Sequence, residues 1–572
     1  MSKLNQIKKL LSIHKIDGYL IPKNNEFTSE YISETDDRLK YITNFSGSAG
    51  FAIILLKKNY LFVDGRYTAQ AIKESGNNFK ICTFPKEMPF SIIKSKKLKI
   101  GYDPKLHTKI FLKRFLGYHY KNSVPILNNL VDKIWIRRKL EDKKKYFLLS
   151  KKYSGQDHRR KISVVKSHLR KLSCDSLLVT SCENIAWILN LRGSETQYNP
   201  IPFGKLLIKK TGKSVLFCEL NKISSQIRKK LKHDIEIYNF DKFDELLIRN
   251  SINLKKIIVD PISCPEFTQD KISNFFKVVQ KADPIYHLKS IKNNTEIKNT
   301  KQSHLYDGVA LSKFIFWLRK MMKKKSIDEL SAEKKLLEFR KKNKLFRFLS
   351  FPTIAGSGPN GAIIHYRANS KTNRKLSKKE LFLIDSGGQY KFGTTDVTRT
   401  LSFGKLSSRI KNIYTRVLKG HISVASYTLN KNTYGHQIDK VARKYLNQIK
   451  LDYPHGTGHG VGYFLSVHEG PQALSKNNKV KLKNGMILSN EPGYYLKNKF
   501  GIRIENLIYI NKNKFENLTL VPIEKSLIEK SLLSAQEKKW INNYHKKVYH
   551  KLKNYMNTSE RLELKDACAI LK

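Results

Sequence analysis

Leu381-Phe382-Leu383-Ile384-Asp385-Ser386-Gly387-Gly388 and Thr394-Thr395-Asp396-Val397-Thr398-Arg399-Thr400-Leu401 are the segments from which the fold is read. Each is rich in apolar or β-branched residues, as strands are, and each carries one aspartate. Gln389 to Gly393 forms a turn between them. The two segments are therefore expected to pair antiparallel, with both carboxylates on one face. In isolation such a pair is most often two strand-end aspartates, so its surroundings decide the reading.

Those surroundings are dense in Gly, His and acid. His455-Gly456-Thr457-Gly458-His459-Gly460-Val461-Gly462 puts two histidines four apart, but its glycines argue against a helix. An extended or looped backbone that passes close to something is expected instead. Val467-His468-Glu469-Gly470-Pro471 adds a third histidine, with Glu469 read as a capping or structural carboxylate. The apolar segment Gly485 to Gly493 reads as a strand ending at Glu491. In Gly501-Ile502-Arg503-Ile504-Glu505-Asn506, Ile alternates with charge, which would place Arg503 and Glu505 on one face of a single strand. Two Asp, two Glu and one His make a hard, oxygen-rich donor set, better suited to a pair of divalent ions such as Mn²⁺ than to structural zinc. Two such ions about 3.5–4 Å apart can hold a bridging hydroxide at neutral pH. The chemistry implied is hydrolysis of an activated carbonyl, most naturally a peptide bond. A histidine outside the ligand set could serve the oxyanion or the departing nitrogen.

Upstream, Glu296 to Met322 reads as a long amphipathic helix, with Val309, Ala310, Phe314, Ile315 and Leu318 at apolar positions. Before it lie two units with a shared outline: helix, aspartate, apolar strand, helix, then aromatic-Ile-x-Asn-x-x-Gly-Ser. The first runs through Asp17-Gly18-Tyr19-Leu20-Ile21 to Tyr41–Ser48, the second through Asp175-Ser176-Leu177-Leu178-Val179 to Trp187–Ser194. The charged stretch Arg137 to Lys145 separates them. The regions expected are 1–152, 153–290 and 291–572.

Composition narrows the function. Across 572 residues, 40% hydrophobic and 11% aromatic content is enough for several cores and excludes a mainly disordered chain. No apolar run approaches the roughly 18 residues of a membrane span, and Met1 to Leu20 reads as a first helix, not a signal peptide. The 109 basic and 48 acidic residues give a charge of +61, but the lysines are spread in short clusters along the chain. That pattern does not call for a nucleic-acid or membrane partner; drift of surface positions toward Lys and Asn accounts for it. Six cysteines without a C-x-x-C pair suggest neither a disulfide framework nor a thiolate zinc site, and point to a reducing compartment.

Taken in order, these segments resemble the pita-bread metallopeptidases, most closely the three-domain aminopeptidase P (Xaa-Pro aminopeptidase) family. Ser350 to Tyr366 is similar to the family's substrate-pocket segment. Gly47-Ser48-Ala49-Gly50, Val63-Asp64-Gly65-Arg66-Tyr67 and Asn129 to Trp135 resemble its first domain. The resemblance implies an α+β architecture: two related N-terminal α/β (creatinase-N-like) domains followed by a C-terminal pita-bread catalytic domain. It implies five metal ligands, Asp385, Asp396, His459, Glu491 and Glu505, holding two divalent ions, with Mn²⁺ favoured. It implies that His365, His455 and His468 line the substrate site, with His468 at the scissile carbonyl, and that Arg503, joined by Tyr495, orients a ligand carboxylate. The expected substrates are peptides with a free N-terminus and proline at position two, and the expected location is the cytoplasm. Phe392 and Tyr463 depart from the family pattern, and Tyr463 puts side-chain preference in question. Prolidase, which takes dipeptides only, and non-catalytic pita-bread binding proteins are the rivals. Methionine aminopeptidase shares the ligands but is usually one domain. Ser534 to His545 reads as an amphipathic helix that packs on the catalytic domain or on a second copy, so a homodimer is left open.

Overall fold

A computed structural model describes residues 1–94, 98–136 and 144–572. Residues 137–143 of the charged stretch thus lie outside the described residues. The chain forms two compact units, Met1–Tyr286 and His287–Lys572.

The first unit holds two six-stranded sheets of identical design. In one, the order is Lys80–Phe84, Asn59–Asp64, Gly50–Leu55, Gly18–Pro22, Ile100–Tyr102, Val124–Pro125. In the other it is Ile235–Tyr238, Ser214–Phe217, Lys205–Lys209, Ser176–Val179, Lys256–Val259, Lys277–Gln280. From left to right both sheets pair parallel, antiparallel, antiparallel, parallel, parallel. The strands of the first sheet show why they are strands. Tyr19, Ile21, Ala52, Ile54, Leu61 and Val63 share one apolar cluster, while Leu20, Phe51, Ile53, Tyr60 and Phe62 share the other. Side chains alternate between two cores, so the sheet is buried on both faces and the segments read as continuous apolar runs. The short strand Phe147–Leu148 pairs with Leu191–Arg192, drawing residues ahead of 153 into the second region.

The second unit wraps helices around several small antiparallel sheets. Its first long helix, Asn294–Lys324, begins with a reciprocal cap: Asn293 Oδ1 accepts from Glu296 N–H, and Glu296 Oε2 accepts from Asn293 N–H. Leu311, Phe314 and Leu318 of this helix, Val417 and Leu418 of Ser408–Ala425, and Ile541 and Val548 of Ala535–Leu552 pack with Ile384, Leu401, Ile502 and Ile504 in one core. The helix Ala535–Leu552 is therefore part of this unit's own core. The strands that matter for function are Phe382–Ser386 between Ile354–Ser357 and Val397–Leu401, and a five-stranded sheet ordered Glu469–Leu474, Gly458–Gly460, Ile487–Asn490, Asn506–Asn511, Lys514–Asn517. Among the described residues, no helix is long and apolar enough to cross a membrane.

Candidate metal centre

Asp385 lies on Phe382–Ser386 in register with Thr398 on the neighbouring strand, and Asp396 stands just ahead of that strand. The intervening turn forms a hairpin, Gly388–Tyr390 with Gly393–Thr394, which pairs with Phe346–Leu349 in a separate sheet. Glycines allow this folding-back: a Cβ on Gly387 would lie 1.9 Å from the carbonyl oxygen of Thr395.

The glycines around His459 have the same origin. A Cβ on Gly458 would lie 1.9 Å from Ser489 O, and one on Gly460 would lie 2.1 Å from Glu469 O. The segment is a central strand pressed between its neighbours, so the close approach expected from its glycines is to protein backbone. Ser489 Oγ accepts from the His459 N–H at 2.9 Å and donates to Glu491 Oε1 at 3.1 Å. His459 Nδ1 donates to Gly460 O at 2.9 Å, so Nε2 is the nitrogen turned toward the acids, 3.4 Å from both Asp396 Oδ2 and Glu491 Oε1. Ligand-type atoms of Asp396, His459 and Glu505 all lie within 4.8 Å of one another.

Arg503 and Glu505 do not share one strand. Phe500–Arg503 pairs with Gly493–Leu496, whereas Asn506–Asn511 belongs to the five-stranded sheet, and the chain crosses between them at Ile504 and Glu505. Alternation therefore misjudges the backbone here, because the segment changes sheets. The two side chains nevertheless meet on Thr398. Arg503 Nε donates to Thr398 Oγ1 at 3.1 Å, and that hydroxyl donates to Glu505 Oε2 at 2.6 Å. Arg503 also donates to Asp385 Oδ2 at 2.6 Å and to Tyr495 OH at 2.6 Å. The Tyr495 hydroxyl in turn reaches His455 Nε2 at 2.9 Å.

The electrostatics are those of crowded acids. Burial, opposed by Arg503 but reinforced by Asp396 and Glu491, pushes Asp385 up to about 7. Burial and the neighbouring carboxylates also raise Glu505 well above the usual range, and burial raises Glu491. Burial works against a charged His459, but Asp396 and Glu491 outweigh it and lift the imidazole to about 9. Asp385 Oδ1 is buried and receives no hydrogen bond. The His468 ring lies edge-on to His459, with centroids 4.4 Å apart. His365 is half-buried on the segment that follows the turn Gly358–Ala362, and this turn packs against Phe500–Arg503.

Comparison with known proteins places the chain. Residues 298–512 match the metallopeptidase family M24, and residues 512–571 match the C-terminal region of that family. Residues 3–117 and 137–296 match creatinase/prolidase N-terminal domains. A probable Xaa-Pro aminopeptidase P of Laccaria bicolor is 37% identical, the match covering 96% of this chain and 90% of the relative. Xaa-Pro aminopeptidase 1 of Dictyostelium discoideum is also 37% identical, over 96% of this chain and 92% of its own length. The X-prolyl aminopeptidase of Caenorhabditis elegans, described as a cytosolic enzyme with a di-nuclear active site, superposes with a TM-score of 0.93 at 29% identity, covering 100% of this chain and 99% of that one. The chain belongs to the aminopeptidase P group of the M24 metallopeptidases.

Within this M24 metallopeptidase, several supporting residues escape a reading of the sequence. Thr398 looks like one more β-branched strand residue, yet its hydroxyl links Arg503 to Glu505. Arg399 is fully buried and donates to the backbone carbonyls of Glu505 at 2.6 Å and Val521 at 2.7 Å and to Asn506 Oδ1 at 2.8 Å. The available signal was an arginine at the centre of the strand segment Val397 to Leu401. Glu469 is a structural carboxylate clasped by Lys289 and Lys292, all three buried, and the two ion pairs hold it below the ordinary glutamate range despite its burial. Of the two departures from the family pattern, Tyr463 is buried, its hydroxyl accepting from Asn299 Nδ2 on the long helix at 3.0 Å. Phe392 is also buried, its carbonyl accepting from Ser303 on that helix.

Proposed function

We propose that this protein removes the first residue from peptides with a free N-terminus and proline at position two, using two divalent ions held by Asp385, Asp396, His459, Glu491 and Glu505. The observation that carries this reading is the buried cluster itself. Four carboxylates and one imidazole crowd together, with the carboxyls of Asp385, Glu491 and Glu505 raised by burial, an unbonded Asp385 oxygen, and the His459 ring fixed by Gly460 so that Nε2 faces the acids. Such a donor set fits hard divalent cations, Mn²⁺ among them. When bound, two such ions supply Lewis acidity and bring a shared water into its nucleophilic form near neutral pH.

The protein's own groups do the remaining work. Arg503 takes one oxygen of Asp385 and leaves the other for the ions. His468, beside His459, donates to the oxygen of the scissile carbonyl as charge develops, or passes the proton to the departing nitrogen. His365 and His455 line the space for the peptide, with Tyr495 fixing His455. An Xaa-Pro bond has no amide N–H and a fixed φ, so an enzyme that grips backbone as a β-strand loses a donor there. Holding the amino terminus and the carbonyl at the acidic cluster removes that dependence. The six cysteines are free thiols, in keeping with action in the cytoplasm.

The test is release of the first residue from an Xaa-Pro-Xaa tripeptide, with and without chelator, by wild type and Asp396→Asn. Metal-dependent release by wild type, reduced by about 10³-fold or more in the variant, is expected. Cleavage confined to Xaa-Pro dipeptides would make the protein a prolidase. Unchanged binding of a partner by metal-free protein, with no hydrolysis, would make it a binding module.

A further inference from the structure

Glu329 is the first residue of the helix Glu329–Lys341 and is fully buried. Its carboxylate is addressed by four neutral groups, all belonging to one later segment. The Ser357 N–H donates at 2.7 Å and the Arg374 N–H at 2.9 Å. Asn360 Nδ2 donates at 3.0 and 3.1 Å, and the Tyr366 hydroxyl at 2.8 Å. Ser357 and Arg374 are the two ends of the excursion that carries His365. Asn360 and Tyr366 lie inside it, Tyr366 directly beside His365.

The backbone closes the same neck. Glu329 N–H donates to Arg374 O at 3.0 Å, and Leu376 N–H to Ile327 O at 2.8 Å. Gly358 has a φ of +53°, and a Cβ there would meet the Glu380 carboxyl carbon at 2.5 Å. Glu380 is itself held by Arg374 at 3.0 Å. On the other side, Gly361 O lies 1.8 Å from where a Gly501 Cβ would be. The excursion is thus seated on the strand that ends at Arg503 and clasped from outside by Glu329.

A buried anion is costly, and an apolar residue could start this helix equally well. Four donors from one loop converging on one carboxylate are a device for fixing that loop's shape, with charge-assisted bonds in place of packing. We infer that Glu329 is a positioning residue: it clasps the 357–374 segment and sets where His365 meets the substrate, acting on peptide binding and not on the metal pair. This rests on the peptidase reading above.

Glu329→Gln keeps the volume and removes the charge. In the metal-loaded enzyme it should raise KM for the Xaa-Pro-Xaa tripeptide about tenfold, with kcat within about threefold of wild type. Metal content should not change, and amide exchange should accelerate across 357–374 while the helix Ser408–Ala425 keeps its protection. Tyr366→Phe, which deletes one donor and keeps the ring, should raise KM about threefold and add little in the Glu329→Gln background. It also decides the matter if Glu329→Gln does not fold. Unchanged KM and exchange in the variants, or loss of bound metal with a fall in kcat, would overturn the inference. If wild type releases nothing from the tripeptide, the functional reading fails instead, and the exchange of 357–374 still judges the clasp.

Discussion

The two units of this chain bury charge in different patterns. In the N-terminal unit the first sheet is sandwiched between apolar clusters, buried charge meets in single pairs such as Lys222 with Glu195, and other pairs such as Lys210 with Asp175 lie nearer the surface. In the C-terminal unit carboxylates are driven inside, crowded together, and balanced by a few buried cations: Arg503 against Asp385, Arg340 against Asp307, Lys289 and Lys292 against Glu469. The first arrangement gives stability directly. The second stores unfavourable charge where a cation can relieve it, and its integrity depends on each partner being present.

That contrast is broken most severely by deleting an inner cation. Arg340 donates to Asp307 Oδ1 at 2.7 Å and to Ser386 Oγ at 3.1 Å, next to Asp385, and is fully buried. Arg340→Met should cost about 3–5 kcal/mol by leaving Asp307 buried and unpaired. Denaturant titration followed by amide exchange should locate the loss in residues 287–572.

Metal sharpens the comparison next. Saturating divalent ion at about a hundred times its Kd should add about 2.7 kcal/mol to the C-terminal unit and leave the N-terminal sheets unmoved. The gain should depend on pH. Asp385 titrates near 7 in the metal-free fold against an ordinary 3.8. Its contribution to the metal-free protein is therefore full below the ordinary value and is lost as pH rises through 7. Ion binding needs the ionised form, so stabilisation by metal should grow from pH 5 to 8. Thermal unfolding with and without chelator across that range checks the sign. The smallest effect belongs to the outer pairs. Lys210→Met, at a salt bridge more than a third exposed on the lysine side, should cost at most about 1 kcal/mol and less at high salt.

What could be read in advance follows the same division. The strands at Gly18, Gly50, Asn59 and Leu381 announce themselves because apolar residues run without interruption on doubly covered sheets. The residue types of the acidic cluster stand out because carboxylates and histidines beside glycines are rare in cores. The supports do not. Glu329 lies in none of the motifs, and its donors lie 28 to 45 residues away. Thr398 and Glu505 are 107 residues apart, and no periodicity links them. The break at Ile504 was invisible because a change of sheet leaves alternation intact on both sides.

The shared strand order of the N-terminal sheets has a consequence for synthesis. In each sheet the strand made first, Gly18–Pro22 or Ser176–Val179, ends up in the middle. It gains its antiparallel neighbour within some tens of residues, but its other edge waits for Ile100–Tyr102 or Lys256–Val259, about eighty residues later. On the ribosome each sheet therefore exists for a time as an open half with a bare apolar edge, the interval in which a nascent chain most needs shielding.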